Sequence, residues 1–398
     1  MGYIEFLKTT ITTVFKITLI YLTCVFKTIK LLAIYFKRKF SKKDFNSKEV
    51  IGIFHPYCNA GGGGERVLWA VVKALQKEYP DVHIVIYTGD LEVAPEEMIN
   101  RVKRTFNIKI NPVEFIYLHK RNYVEAEMYP QFTLLAQSIG SYLLGLEAFE
   151  ALQPDVIMVN SSWTEDHINA IWKCPLKTFR VYPPCDIERL VELPLLADDQ
   201  KGEVVRIVSV AQFRPEKNHP LMLRIMYELR SIVKEEVWEK VRLILVGSCR
   251  HDEDKKRVKD MEDLSKHLAV DENVEFKLNL PYEELVDEMQ LGTIGLHTMW
   301  NEHFGISVVE GMAAGLIMVA HNSGGPRADI IETQLSSQTG FLATDAEEYA
   351  AIIANIIEMD QDTKDIIRNA ARASVDRFSG QQFENEFIRI IKPLVHTK

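Results

Sequence analysis

Five residues, Val50-Ile51-Gly52-Ile53-Phe54, run directly into HPYCNAGGGGERVLWAVVKAL. An apolar strand-length segment, a glycine run and then apolar residues at helical spacing predict a buried strand, a turn and an amphipathic helix from Glu65. That is the βα unit of an open parallel sheet, and a parallel pairing commits the chain to the α/β class, because it requires a crossover. Two nucleotide motifs fail here. The run lacks the GK[ST] ending of a P-loop, and Arg66 stands where a dinucleotide fingerprint starting at Gly61 needs its third glycine. A tight turn needs only one or two glycines, so Gly61, Gly62, Gly63 and Gly64 together fit a ligand-facing loop at the carboxyl end of the strand.

The alternation continues. Further strands are expected at His83 to Tyr87, Val113 to Ile116 and Val156 to Val159, with an apolar helix from Phe132 to Leu152. Ser162 or Thr164 fits as the cap of a helix near Glu165, and the Asn160-Ser161-Ser162 sequon stays unused in a cytosolic chain. Val181 to Asp186, stiffened by Pro183 and Pro184, fits a joint between domains. A second series of strands follows at Val204 to Val210, Arg242 to Val246, Val274 to Phe276, Ile294 to His297 and Ile317 to Ala320, with helices between them. From Ala346 the chain reads as helical almost to Leu394. The resulting division is a membrane-associated helix and basic flank at 1–44, an N-terminal Rossmann-like domain at 45–186, a C-terminal one at 187–375, and a final helix at 376–398 that returns to the first domain.

Charge narrows the partners. A net charge of −9 argues against nucleic acid, whose phosphates need a basic surface. The stretch up to Lys43 is nevertheless cationic, with Glu5 its single acid. Its longest uncharged run, Ile17 to Phe26, is shorter than the roughly 20 residues of a spanning helix. Lys8, Lys16, Lys27, Lys30 and Lys37 project within an arc of roughly 100° on a helix, which suits one lying in the membrane interface. A spanning helix over Thr9 to Thr28 with snorkelling lysines satisfies the same pattern. In either case the basic cluster Lys37-Arg38-Lys39 with Lys42-Lys43 marks the following side as cytoplasmic, and no small-residue site suggests a cleaved leader. The five cysteines, with no CxxC pair, read as reduced and structural.

Three stretches carry chemistry. In MWNEHFGISVVEGMAAG, Glu302 precedes Phe304-Gly305, a helix starts near Ile306, and Glu310 lies one turn in. A helix N-terminus attracts phosphate, while two carboxylates can accept hydrogen bonds from sugar and ribose hydroxyls; a plain solvated helix start, where the dipole favours acids, uses the same spacing. Arg214 and Lys217 follow a strand and can clamp a pyrophosphate, or remain solvated loop cations. Gly247 ends the next strand. Asp252-Glu253-Asp254 looks like a metal site but sits in alternating charge on a surface helix, and no metal is expected.

The wording of FHPYCNAGGGGERVLWA, MYPQFTLLAQSIGS, VIMVNSSWT, VYPPCD, QFRPEKNHPL, LVGSCRHDEDKKRV and NEHFGISVVEGMAAGLIMVAHNSGGPRADI resembles the family-4 retaining glycosyltransferases of the GT-B fold. The resemblance implies two doubly wound Rossmann-like domains facing across a cleft. It also implies transfer of α-1,2-linked mannose from GDP-mannose onto dolichol-pyrophosphate-linked Man3GlcNAc2 and then Man4GlcNAc2, without metal or other cofactor, at the cytosolic face of the endoplasmic reticulum membrane. Membrane lipid and other early N-glycan mannosyltransferases are its expected neighbours. Under it Glu310 binds the ribose, Glu302 faces the donor sugar, Lys217 meets the pyrophosphate, and Arg214 stands in for an arginine usually found where this chain has Gln212. The same resemblance implies that Gly62 and Gly63 lie against the donor phosphates, with Gly247, Phe304, Gly305 and Ile306 lining the donor site. The family also carries a long segment between Asp155 and Val156 that is absent here, which implies a shortened acceptor side. The alternative is therefore a membrane-tethered form that binds GDP-mannose with impaired catalysis.

Overall fold

The computed structural model describes residues 50–119 and 156–395, apart from Pro56, Ala60, Lys173, Cys174, Arg250, His251 and Leu335. The expected membrane helix, its basic flank and the helix at Phe132 to Leu152 lie outside the described residues. Among the described residues no helix is long and apolar enough to cross a membrane. The described residues form two compact units: one holds 50–59, 79–100 and 111–119, the other 61–78, 101–110 and 156–395.

In the first unit β1 (Val50–Phe54), β2 (His83–Thr88) and β3 (Glu114–Tyr117) form a parallel sheet in that order. β1 was expected to be buried, but it is half-buried, with Phe54 exposed. It occupies the sheet edge and pairs only with β2 among the described strands, so only the central strand β2 is screened on both sides.

The second unit carries two sheets. β4 (Ile157–Val159) and β5 (Thr178–Arg180) form a two-stranded parallel pair. β6 (Val205–Val210), β7 (Val241–Gly247), β8 (Val274–Leu278), β9 (Ile294–His297), β10 (Ile317–His321) and β11 (Gly340–Ala343) form a six-stranded parallel sheet in the order β11-β10-β9-β6-β7-β8. The longer helices lying wholly within this unit are α1 (Gly63–Glu78), α2 (Ser162–Trp172), α3 (His219–Ile232), α4 (Asp252–His267), α5 (Tyr282–Leu291), α6 (Ile306–Ala314), α7 (Ala346–Glu358), α8 (Gln361–Ser374) and α9 (Gly380–Ile391).

Successive residues of a strand face opposite sides, and the large sheet uses both. Ile207, Leu243, Leu245, Ile317 and Val319 pack beneath α3, α4 and α7, with Met222, Leu229, Val258 and Tyr349 in the same core. Val208, Ile244, Val246, Met318 and Ala320 pack beneath α5, α6 and α8, with Met289, Val308, Met312 and Ala371. Burial on both faces explains why β9 and β10 are buried at every position and why these strands are apolar, rather than alternating, up to the histidine that ends each.

The strand order fixes where a ligand can bind. From β6 the chain moves outward through β7 and β8, then returns to place β9 on the other side of β6. Connections on either side of that reversal diverge, opening a crevice at the carboxyl ends of β6 and β9. α9 packs along α1 through Phe383, Ile390, Val67, Ala70 and Val71, and Glu384 pairs with Lys73 and Lys77.

Candidate functional site

The loops after β6 and β9 carry the expected residues. After β6, Pro215–Lys217 make a single 3-10 turn and Asn218 takes a left-handed φ of 52°, after which Pro220 sits in the first turn of α3. The Thr298 hydroxyl, just past β9, donates to the carbonyls of Lys217 and Asn218 at 3.0 and 3.3 Å, so the two loops are fastened together. Lys217 Nζ then lies 2.6 Å from Glu302 Oε2 and 3.2 Å from Met299 Sδ. Arg214 is exposed, with no ion pair among the described residues. Gly247 ends β7 where a Cβ would meet the Ala211 carbonyl at 2.1 Å, so the loop after β6 can lie against it only because the side chain is missing.

The Glu302 loop is held from below. Asn301 N–H donates to Ser323 Oγ at 2.8 Å, and Gly325 N–H donates to the Glu302 carbonyl at 2.8 Å. Phe304 is buried between Tyr182 and Phe378. Gly305 then turns the chain at φ 116° and α6 begins at Ile306 with no side-chain cap. The first amides of a helix have no acceptor within it, and these point out of the N-terminus with its partial positive charge. Gly63 sits against this point, since a Cβ there would approach Ile306 Cδ1 to 3.1 Å. Of the glycine run, Gly61 holds φ 75°, and Gly62 N–H donates to the carboxylate of Glu65 in half of a capping box. At the far end of α6, Arg368 donates to the Gly315 carbonyl and Arg372 to those of Ala313 and Ala314, placing cations at the negative pole.

Electrostatics separate the two glutamates. Burial works against ionising Glu302, but His297 and Lys217 more than offset it and hold its pKa down at about 2. Glu310, one turn into α6, is raised by burial, and the Arg66 guanidinium works against that. Arg66 Nη1 sits 2.8 Å from Glu310 Oε1, and its Nη2 lies 3.4 Å from Asp186 Oδ2.

Three residues beside these carboxylates were not picked out by sequence reasoning. Arg66 had registered only as the residue that breaks a dinucleotide fingerprint. His297, buried at the last position of β9, places Nε2 3.4 Å from Glu302 Oε2; its only signal was a polar residue ending an apolar strand. Asp186 is the last residue of the proline-stiffened joint. The Asn160-to-Thr164 loop is near too: Trp163 stacks on His303 at 5.2 Å, and Ser162 gives both its N–H and its hydroxyl to the buried Asp329 carboxylate. The cap of α2 is Ser161 rather than Ser162 or Thr164, because Ser161 Oγ is the group that reaches the Thr164 amide, at 3.1 Å. Asp252, Glu253 and Asp254 fill the first turn of α4 with Asp252 paired to Lys255. Among the described residues no group of three or more His, Cys, Asp or Glu could hold a metal ion.

A helix N-terminus, a lysine and two held carboxylates gather at a topological switch point, and the fold around them is that of solved GT-B glycosyltransferases. HepE from Anabaena, in complex with UDP, superposes with a TM-score of 0.63 at 18% identity, covering 87% of this chain and 100% of that one. A glycosyltransferase from Rickettsia africae gives 0.62 at 14%, covering 87% and 99%. Residues 198–373 match the family "Glycosyl transferases group 1", and residues 48–157 match "ALG11 mannosyltransferase N-terminus". Proteins named GDP-Man:Man(3)GlcNAc(2)-PP-Dol alpha-1,2-mannosyltransferase are 41% identical in Xenopus laevis, over 88% of this chain and 89% of theirs, and 40% identical in Homo sapiens, over 89% of each. The chain belongs to this mannosyltransferase family. The match to the frog protein runs over 435 positions, whereas 88% of 398 residues is about 350, so about 85 of those positions fall opposite no residue of this chain.

Proposed function

We propose that this chain transfers α-1,2-linked mannose from GDP-mannose to dolichol-pyrophosphate-linked Man3GlcNAc2, and then to the Man4GlcNAc2 product. The relatives' shared name supports the substrates. The observation that carries the reading is the paired grip around the start of α6: Lys217 with Glu302 at its mouth, Arg66 with Glu310 one turn in. A diphosphate at the helix N-terminus then has the mannose beside Glu302 and the ribose beside Glu310.

Transfer breaks the bond between mannose C1 and the diphosphate oxygen, and GDP departs with the electron pair. Lys217, the exposed Arg214 and the amides opening α6 offset the charge that develops there, with no metal or cofactor in the scheme. The acceptor hydroxyl bonds to C1 on the face GDP leaves and gives its proton to the departing diphosphate oxygen, so configuration is retained. Glu302 is a fixed anion across the physiological range and, in this reading, accepts a mannose hydroxyl while keeping Lys217 aimed at the diphosphate.

The place of action is the cytosolic face of the endoplasmic reticulum membrane, supported by the cationic, apolar segment up to Lys43, which suits an acceptor carried on a membrane lipid. Other early N-glycan mannosyltransferases are the proposed neighbours there. The test is turnover: full-length chain, GDP-mannose and a lipid-linked trimannosyl acceptor should yield tetra- and pentamannosyl products. GDP binding without product would instead support the impaired, GDP-mannose-binding form.

A further inference from the structure

Glu310 is a half-buried carboxylate whose local partners come from three parts of the second unit. Arg66 comes from α1, Asp186 and Cys185 from the segment after β5, and Tyr282 from the start of α5. Of these Arg66 alone is cationic. Its planar fork divides between the two acids, 2.8 Å to Glu310 and 3.4 Å to Asp186, and Tyr282 donates its hydroxyl to the same Asp186 oxygen at 3.4 Å. A guanidinium held at two points cannot swing away from Glu310 as a flexible lysine would.

We propose that Arg66 is a positioning residue for nucleotide recognition: it keeps the Glu310 carboxylate charged and oriented so that the ribose hydroxyls of a nucleoside diphosphate find a strong acceptor. The proposal rests on the donor site described above and adds a residue to it. An ionised carboxylate accepts about four hydrogen bonds, so Arg66 and the neighbouring Asp186 amide leave capacity for ribose hydroxyls. Glu310 keeps 22% of its side chain exposed, which gives a ligand access. Without Arg66 the carboxylate faces burial and the Asp186 charge with no cation to oppose them, and it takes up a proton more readily. A protonated acid offers the ribose fewer and weaker acceptors.

Binding of GDP and of 2′,3′-dideoxy-GDP, measured by calorimetry between pH 6 and 8.5, tests this. In the Arg66→Met chain GDP should bind about tenfold more weakly at pH 6 than at pH 8.5, from loss of charge-assisted hydrogen bonds. The parent chain should change less over the same range, and its preference for GDP over the dideoxy analogue should collapse in the variant. Arg66→Lys, which keeps the cation but not the two-point hold, should return the pH profile most of the way to that of the parent. In a Glu310→Gln background, where no charge remains to protect, Arg66→Met should cost no further affinity. An equal loss for both ligands, an unchanged pH profile, or the same loss in the Glu310→Gln background would overturn the proposal and leave Arg66 a packing residue. Failure of the parent chain to bind GDP, or unchanged binding in Glu310→Ala, would instead defeat the donor-site reading itself. If Arg66→Met does not fold, the Arg66→Lys and Arg66→Gln chains carry the same comparison, since only the first keeps a cation.

Discussion

Glu302 shows how a single side chain can be fixed by opposing forces. Burial alone would raise its pKa above the ordinary 4.5, yet Lys217 at 2.6 Å and His297 at 3.4 Å bring it to about 2. A group whose folded pKa is depressed contributes stability that is present above its unfolded value and is lost as pH falls through the folded one. The contribution is on the order of 3 kcal/mol, from the size of the displacement. Chemical unfolding of the parent chain and of Glu302→Gln should therefore differ most above pH 4.5 and converge as the pH approaches 2. Parallel pH curves would show that the Lys217 pair carries no net stabilisation.

At the scale of elements, α6 is the piece whose ends are both fixed. Arg368 and Arg372 hold its last carbonyls, and the glycine pair after β10 supports the loop at its start. A Cβ on Gly325 would lie 2.4 Å from the Phe304 carbonyl, and one on Gly324, at φ 59°, 2.2 Å from that of Glu302. Backbone atoms cannot yield as a flexible side chain can, so Gly325→Ala must displace the loop carrying Glu302. It should cost about 1–3 kcal/mol in thermal or chemical unfolding, the usual range for overpacking, together with donor affinity. Retained stability and retained donor binding would show that the loop has room to move.

Much of this was legible in advance because periodicity and glycine placement are local signals. The six-stranded sheet's first five strands and the start of α6 at Ile306 fell where apolar runs and Gly305 put them. The strands missed were short ones. β5 has three residues leading toward two prolines, and β11 has four beginning with glycine, so neither carries enough β-branched sequence to stand out. β1 read as buried because its residues are apolar, whereas its exposure follows from having one neighbour rather than two among the described strands, which no pentapeptide encodes. Lys217 and Glu302 could be read as residue types, but their pairing could not, since they lie 85 positions apart and meet only because β6 and β9 are adjacent. The Arg66–Glu310 pair spans 244 positions and was unreadable for the same reason.

For the whole molecule, the family match and the shortfall of about 85 positions inside it, taken from the frog comparison, pull on different parts of the chain. Residues 198–373 match the group 1 glycosyltransferases and contain the six-stranded sheet, both ends of α6 and the Lys217–Glu302 pair. The match to the N-terminal profile stops at residue 157, next to the Asp155-Val156 junction where the resemblance implies a missing segment. Donor binding and transfer are therefore separable questions for this chain, and donor binding rests on the part that carries α6 and the Lys217–Glu302 pair. Calorimetric titration of GDP-mannose into the parent chain, Lys217→Ala and Glu310→Ala addresses it directly. Each substitution should weaken binding by about tenfold or more, the loss expected when a charged hydrogen-bond partner is removed from a partly buried site. Affinity unchanged in both variants would contradict the account.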